Sequence, residues 1–448
     1  MNYNFKAKYL DNDFINKYLS LFLIIYGLFY IIITPPLYVS DEYFHFQKAA
    51  SEQNFFINKK LDISEDLEKF INQKKYSWYF LSKEKNYKYT DNFSEDFSQN
   101  FSWKNEKKVE AKLGLLQGYP VSGYFFSKLG INLSKIFTDN IIISYYFGKI
   151  FNFLLIIFII LSLVKKIKNN QYLYYIILFL PMSLSLISSY SQDSILILYT
   201  VIVIYISSNL LNSIVLDLKL LCFLFLFILL LSLGRPTYIS FILIPFAFLN
   251  NSGSIFNNKN FFIITLFSLT FLFFCIFIYN YPVPNKVEGQ FNYILNNPHH
   301  FLKIIYNDII KHTFTYYIQF IGVLGHINIQ LDRLIYIFVT FVFAIIIFFN
   351  FLSLKTVKIS RFCLVLTISI TCSYILLCFS QYLYFTSFKN TFIQGIAGRY
   401  FIPIILISIL ILPKIKKKLY NNDLFKIILL SFPHINFFSL INIYNFFY

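Results

Sequence analysis

The chain has 448 residues, of which 57% are hydrophobic and only 14% charged, and Lys and Arg exceed Asp and Glu by 17. About a quarter of the residues in an ordinary soluble protein are charged, so this composition excludes that class and indicates a protein dissolved in a bilayer. The positive charge does not indicate nucleic-acid binding. Residues 35–140 contain 15 Lys against 14 acids, whereas the other 24 basic and 8 acidic residues mostly flank apolar runs, as topology signals do.

The first apolar run covers residues 18–34 and follows three lysines without a small-residue cleavage site. This pattern predicts an uncleaved signal anchor with a cytoplasmic N-terminus over residues 1–34. A polar stretch of about a hundred residues follows, containing 14 of the 22 acids of the chain. Residues 35–140 are therefore predicted to form a large extracytoplasmic loop of helical or irregular structure.

The remainder, 141–448, is predicted to be a helix bundle interrupted by a second outer loop over 280–332. Each apolar run can cross roughly 30 Å of hydrocarbon as a helix of about 20 residues. The run over 237–249 is short and contains Pro245, so it can also be re-entrant. After the first, the predicted spans are 141–164, 172–190, 194–211, 218–233, 237–249, 261–279, 334–352, 362–380, 400–412 and 424–440. The predicted fold is an all-α polytopic membrane protein with about eleven transmembrane helices.

Counting spans from a cytoplasmic N-terminus places three basic clusters on the inner side, as the positive-inside rule requires. These clusters are Lys165, Lys166 and Lys168; Lys355, Lys358 and Arg361; and Lys414 with Lys416, Lys417 and Lys418. The same parity places the first loop, Asp193, Arg235, the second loop and Arg399 on the outer side. The candidate polar residues therefore converge on one face of the membrane.

The segment after the first span contains Pro35 and Pro36, then Asp41, Glu42 and His45. Asp41 and His45 are four positions apart in the sequence and would share a helix face. A surface carboxylate beside a second carboxylate and an imidazole can act as a general base toward a hydroxyl, or can hold a divalent ion such as Mg²⁺ or Mn²⁺. The simpler alternative is that the two acids stabilise a helix N-terminus. No cofactor is fixed by the sequence.

Three further ionisable residues lie at outer helix ends. Asp193 is either a cap for the following span or a polar contact at a cavity mouth. Arg235 and Arg399 can reach lipid head groups with their side chains. Lysine could do the same, yet arginine occupies both positions in a chain that has only four Arg against 35 Lys. The planar guanidinium suits bidentate phosphate binding, which is the functional interpretation.

The histidines of the second loop, His299, His300 and His326, have no cysteine or acid at metal-ligand spacing and are interpreted as surface residues. No phosphate-binding loop, dinucleotide fingerprint or nucleophile elbow occurs in a suitable context. ATP-driven transport and hydrolase chemistry therefore lose support.

Six segments in order resemble a bacterial membrane-protein family known as domain of unknown function 2142, which is grouped with the GT-C glycosyltransferases. They are Pro35-Pro36 with Asp41, Glu42 and His45; Gly118-Tyr119-Pro120 with Tyr124; Leu180 to Ser183 with Asp193; Gly234 to Tyr238; Gly322 to Gly325; and Gly395 with Gly398 to Phe401 and Pro403. Where family members typically have Lys before the proline of the fourth segment, this chain has Arg235. Ala397 replaces their Gln in the sixth.

The resemblance implies a GT-C-like fold and a polyprenyl-phosphate-linked sugar as donor, used at the outer face of the cytoplasmic membrane. It implies that Asp41 is catalytic, with Glu42 and His45 assisting, and that any metal would lie at the two acids. Arg399 and Arg235 would bind the donor phosphate.

In the same interpretation, Asp193 and Tyr400 support the site. The acceptor would be a cell-surface glycan, lipid or protein, with the bilayer as the other partner and no nucleic acid. A transporter or flippase for a lipid-linked saccharide, a polysaccharide polymerase or ligase, and a purely structural membrane protein are the alternatives. A transporter predicts broken helices and an internal repeat, and the sequence has no clear repeat.

Overall fold

The computed structural model describes residues 12–51, 62–73, 101–104, 107–111, 120–167, 169–213, 217–249, 258–279, 286–353, 360–412 and 423–448. Helices make up most of these ranges. Lys168, Lys355, Lys358, the four lysines at 414–418, and Gly118 with Tyr119 lie outside the described residues.

The described ranges contain α-helices from near the N-terminus to near the C-terminus. They are α1 (Asn12–Ile33), α2 (Glu42–Ala50), α3 (65–73), α4 (Phe125–Ser134), α5 (Ile141–Val164), α6 (Gln171–Leu178), α7 (Pro181–Ile187), α8 (Asp193–Asn212), α9 (Leu218–Gly234), α10 (Asn258–Tyr279), α11 (Lys286–Asn296), α12 (Pro298–Gly322), α13 (Arg333–Ser353), α14 (Arg361–Tyr384), α15 (Phe401–Ser408), α16 (Asp423–Ser431) and α17 (Ile435–Phe447). 3₁₀ helices cover Val121–Tyr124, Pro236–Phe248, Gly398–Tyr400, Ile409–Ile411 and Phe432–His434, of which Pro236–Phe248 is the long one, with 13 residues.

Six of the described helical stretches are long and apolar enough to cross a bilayer: Asp13–Ile33, Ile141–Val164, Asp193–Asn212, Lys259–Ile276, Arg361–Tyr384 and Phe425–Phe447. Shorter apolar helices cover Leu218–Gly234, Pro236–Phe248, Arg333–Phe348 and Gly398–Ile411. The described structure is mostly helical, which agrees with the prediction of an all-α membrane protein. The number of eleven crossings stays a prediction.

One predicted span, 172–190, is not a continuous helix. It consists of α6 and α7, which are separated at Leu180, whose backbone is extended with φ −57° and ψ 134°. Proline at 181 explains the break, because its ring pushes the preceding residue out of the helical region and it has no N–H to donate. After α7 the chain makes a non-helical turn over 188–192 and enters α8 at Asp193.

The described parts of the first loop pack onto the bundle. Phe46 of α2 contacts the rings of Tyr145 and Tyr190, with centroids 5.0 Å away in both cases. Trp103 donates from its indole nitrogen to Ser144 Oγ at 2.9 Å. Strand β1 (Asp62–Ser64) pairs antiparallel with β2 (Lys108–Glu110), so this loop combines helix with a two-stranded ribbon.

The second loop region is helical in α11 and α12 and ends in a hairpin of β3 (Val323–Leu324) and β4 (Ile329–Gln330). One large apolar cluster runs through the bundle, and a smaller one lies between α11, α12 and α14. The C-terminal end of α12 lies against the turn at Gly398, which brings distant segments to one end of the bundle.

Candidate functional site

Asp41 is placed by an unusual backbone turn. The two prolines follow the end of α1, and the chain then adopts a left-handed conformation at Leu37 and again at Asp41, each with φ 62°. Asp tolerates this region better than most residues, and such conformations concentrate at functional sites. Asp41 precedes α2, but its side chain makes no capping hydrogen bond to that helix. Its carboxylate has a different partner.

That partner is Arg399, whose Nη2 donates to Asp41 Oδ2 at 2.7 Å across 358 residues of sequence. The arginine side chain is only 9% exposed, whereas the aspartate side chain is 42% exposed. Arg399 is held by a tight turn, because the N–H of Gly398 donates to Gln319 Oε1 of α12 at 2.9 Å. The result is an immobilised cation beside an accessible carboxylate.

Asp193 contacts both Arg399 and Arg235. Its Oδ1 accepts from Arg235 Nη2 at 2.9 Å, and its Oδ2 lies 3.5 Å from Arg399 Nε. Asp193 is the first residue of α8, and the residue before it, Gln192, makes no side-chain cap to that helix. Two carboxylates and two guanidinium groups therefore form one buried or half-buried cluster, which we call the charge cluster: Asp41, Asp193, Arg235 and Arg399.

The ring of Tyr400 lies close to both arginines. Its ring centroid lies 3.8 Å from Arg235 Cζ and 5.4 Å from Arg399 Cζ, so both cations benefit from its π face. The backbone carbonyl of Tyr400 accepts from the hydroxyl of Tyr238 at 2.9 Å, which anchors the ring next to the 3₁₀ helix Pro236–Phe248. Tyr400 thus fixes the spacing of the two guanidinium groups.

Glu42 lies away from the charge cluster in a fully buried ion pair. Its Oε1 is 3.0 Å from Lys149 Nζ, with the two side chains 0% and 1% exposed. The same oxygen accepts from the N–H of Tyr190 at 3.1 Å, and Oε2 accepts from the N–H of Val39 at 3.3 Å. Both oxygens are engaged by protein donors, and Asp41 is bound to Arg399. The predicted acid pair therefore does not fit a divalent cation.

His45 is also buried, and its Nδ1 lies 2.6 Å from the hydroxyl of Tyr124. Burial lowers the pKa of His45 to about 4, against the opposing effect of Asp41 and Asp193, so the ring is neutral near pH 7. Burial alone would raise the pKa of Asp41. The charge interactions with Arg399 and His45 lower that pKa by more than burial raises it, so the pKa of Asp41 lies below its usual value. Asp41 is therefore ionised and His45 is a neutral neighbour.

A narrow cavity of about 10 Å³ lies beside Arg399, with room for about one water molecule. Ser40, Ser185, Gln319 and Gly398 contribute to its wall. The Nε of Arg399 makes no hydrogen bond within the described residues. One small polar group therefore has room beside the side chain of Arg399.

Two of the three histidines of the second loop have aromatic partners. His326 stacks edge-on against Tyr38 at 5.2 Å, and burial lowers its pKa. His300 Nδ1 lies 3.0 Å from the hydroxyl of Tyr293. Within the part of the chain that the structure describes, no three His, Cys, Asp or Glu side chains are grouped as metal ligands.

The structure brings together Asp41, Asp193, Arg235 and Arg399 and places the ring of Tyr400 beside both arginines. Sequence reasoning missed Lys149, although a single lysine inside an apolar run is a signal that could have identified it. It also missed Gln319 as the partner of Gly398. Nothing in the local sequence around a glutamine on an ordinary helix would have indicated this contact.

A family model described as "Predicted membrane protein (DUF2142)" matches residues 23–408, which is most of the chain. No curated protein and no solved structure matches the chain.

Proposed function

We propose an enzymatic function for this chain, which belongs to the DUF2142 family of predicted membrane proteins. The function is that of a GT-C-type glycosyltransferase, which moves a sugar from a polyprenyl-phosphate-linked donor to a cell-surface glycan, lipid or protein. The reaction would take place at the extracytoplasmic face of the cytoplasmic membrane.

The observation that carries the proposal is the pairing of Arg399 with Asp41 at 2.7 Å, within a cluster that also contains Arg235 and Asp193. Two arginines beside one accessible carboxylate supply the two charges that glycosyl transfer needs. Cations stabilise the phosphate that leaves, and an anion accepts the proton of the incoming hydroxyl.

In the proposed step, the acceptor hydroxyl oxygen forms a bond to the anomeric carbon of the sugar while the bond from that carbon to the phosphate oxygen breaks. The hydroxyl proton passes to the Asp41 carboxylate, and the bonding electrons leave with the lipid phosphate. Arg399 and Arg235 neutralise that phosphate. Arg399 contacts Asp41 at rest, so the carboxylate that takes the proton and a cation that neutralises the phosphate would be neighbours before the substrates bind.

Replacing Asp41 with Asn tests this role, because the amide keeps the shape but cannot accept the proton. We expect the Asp41→Asn protein to accumulate normally in the membrane and to lose transfer, measured as mass spectra of surface glycans from cells with and without the gene. Asp332→Asn is the matched control, since Asp332 is exposed and only accepts from the N–H of Leu334 at the start of α13. Normal glycans in the Asp41→Asn cells would remove Asp41 from the mechanism.

A flippase for the same lipid-linked saccharide, or a polymerase or ligase, stays an alternative hypothesis. Reconstituted protein distinguishes the first, because a flippase moves the lipid-linked sugar across the bilayer with its glycosyl phosphate bond intact. A transferase releases the lipid phosphate. A polymerase or ligase would be recognised from a product that contains repeated units or an intact preformed glycan.

A further inference from the structure

A second and larger cavity opens next to Arg235. Its volume is about 370 Å³, which is in the range of pockets that bind small organic ligands. Arg235 and Tyr400 belong to its wall, so it begins at the edge of the charge cluster. The rest of the wall comes from the 3₁₀ helix Pro236–Phe248, α10 and α14, and is mainly apolar: Ile239, Phe274, Leu376, Phe379, Leu383 and Phe385.

The two α-helices of this wall are less buried inside the protein than the other described long apolar helices, which leaves more of their surface for lipid. Only 17% of the most apolar part of Lys259–Ile276 is buried inside the protein, and only 33% of that of Arg361–Tyr384. Asp193–Asn212, by comparison, is 72% buried. An apolar ligand in this cavity can therefore arrive from the lipid phase without first crossing water.

Two buried polar side chains in the wall have no hydrogen-bond partner within the described residues. They are Thr237, through Oγ1, and Gln381, through Oε1, and the residues are 4% and 9% exposed. Buried polar atoms are nearly always satisfied, and an exception calls for an explanation. Neither atom is accessible as it stands, so a rotation of each side chain is needed to turn it into the cavity. A ligand that supplies one acceptor and one donor would then satisfy both.

We infer that the cavity binds a membrane lipid whose apolar chain lies between α10 and α14 and whose phosphate group lies at Arg235. The hydroxyl of Thr237 donates to a phosphate oxygen, and the amide oxygen of Gln381 accepts from a hydroxyl group of the head. This inference rests on the proposed function in assigning the bound lipid as the sugar donor. It adds a location for the chain and two residues, Thr237 and Gln381, that select for a head group bearing both phosphate and hydroxyl.

Lipid binding to the purified full-length protein in detergent tests the assignment without any acceptor. The probes are a polyprenyl phosphate, phosphatidic acid and inorganic phosphate, each titrated against the protein and followed by native mass spectrometry. We expect a lipid phosphate to bind at least tenfold more tightly than inorganic phosphate. The lipid that binds more tightly shows whether the cavity selects an isoprenoid or an acyl chain.

Two variants locate the binding in the cavity. Leu376→Trp fills it and should weaken lipid binding at least tenfold, whereas Leu269→Trp, on a 57% exposed position of α10, should not. Thr237→Val keeps the shape of the side chain and should weaken the binding of the lipid phosphate severalfold. Thr265→Val is its control, because the hydroxyl of Thr265 only bonds back to the carbonyl of Phe261.

Unchanged lipid binding by both Leu376→Trp and Thr237→Val would overturn the inference, and so would inorganic phosphate binding as tightly as the lipids. The test separates this inference from the proposed reaction. If Asp41→Asn cells make normal glycans, the reaction proposal fails while the cavity variants still decide where the lipid binds. If the cavity variants bind normally but Asp41→Asn abolishes transfer, only the location of the lipid is wrong.

Discussion

Asp193 presents one carboxylate oxygen to each of two arginines, with Oδ1 2.9 Å from Arg235 Nη2 and Oδ2 3.5 Å from Arg399 Nε. These arginines are separated by 164 positions in the sequence (399 − 235) and are brought together by this one acid and by the ring of Tyr400. Their positions are set before any anion binds, and such preorganisation is what makes charge stabilisation effective.

Asp193→Asn should reduce transfer strongly while the protein still inserts. The amide cannot balance two guanidinium charges, so the arginines move apart, and a displacement of about 1 Å in a catalytic contact can cost on the order of 100-fold in rate. Glycan mass spectrometry or release of lipid phosphate measures this. Asp217→Asn is the control, because Asp217 accepts from Lys219 and Leu220 at the exposed start of α9. Equal activity of the two variants would contradict the role given to Asp193.

The buried pair of Glu42 and Lys149 should matter for stability. Removing one partner of such a pair leaves a buried charge and costs about 3–5 kcal/mol. Glu42→Gln should therefore lower the unfolding temperature in detergent, and Lys149→Met combined with it should restore much of the loss. A Glu42→Gln protein as stable as the wild type, but inactive, would instead return Glu42 to the catalytic machinery.

Gly398→Ala should disturb Arg399 through the backbone of α12. A Cβ at this position would lie 2.6 Å from the carbonyl carbon of Gln319 and against main-chain atoms of Tyr316 and Phe320. Because backbone cannot move aside cheaply, we expect lower stability and loss of transfer. Gly289→Ala is the matched control, since its Cβ would meet only the side chain of Phe388, at 3.8 Å. Normal activity of Gly398→Ala would mean that the turn tolerates displacement.

Acidification should destabilise the fold through His45. Its pKa in the folded protein is about 4, below the usual 6.5, so the unfolded chain binds more protons between these values. The stabilisation is complete above about pH 6.5 and is lost as the pH falls toward 4, with a slope of up to about 1.4 kcal/mol per pH unit. Unfolding midpoints at pH 7.5 and 5.0 measure it. His45→Gln should flatten the dependence, and exposed His299→Gln should leave it unchanged.

An identical pH dependence in the His45→Gln protein would show that another group dominates. The lowered pKa of Asp41 acts in the same direction, but at lower pH, because its carboxylate already titrates below its usual range. The lowered pKa of Lys48, about 7, adds stability only as the pH rises from about 7 toward the ordinary value for lysine. The window between pH 4 and 6.5 therefore separates His45 from both.

Hydrophobic runs were enough to predict the helices. A single apolar segment in lipid must pair its own backbone N–H and C=O groups, and a helix does this within the segment. The runs did not predict the break at Pro181 within the run 172–190, because one proline hardly changes the mean hydropathy of a run of this length. They also did not predict that Pro236–Phe248 forms a 3₁₀ helix, although its length and Pro245 indicated an irregular element.

For the site, residue type and topology were sufficient to select Asp41, Asp193, Arg235 and Arg399. Their actual pairings could not be predicted, because they depend on side-chain directions set by tertiary packing. Glu42 shows the limit of this reasoning. It is adjacent to Asp41 in sequence, but the left-handed turn at Asp41 sends the two carboxylates to different partners, one accessible and one fully buried.

The 2.7 Å contact between Asp41 and Arg399 also means that the charge cluster is completed only late in the synthesis of the chain. The acid enters the membrane with the first helix, whereas its cation is made only after α14 has been translated. Until then the nascent protein carries an unneutralised carboxylate at its surface, and a ribosome that stops before residue 399 would leave an inserted bundle with half a site.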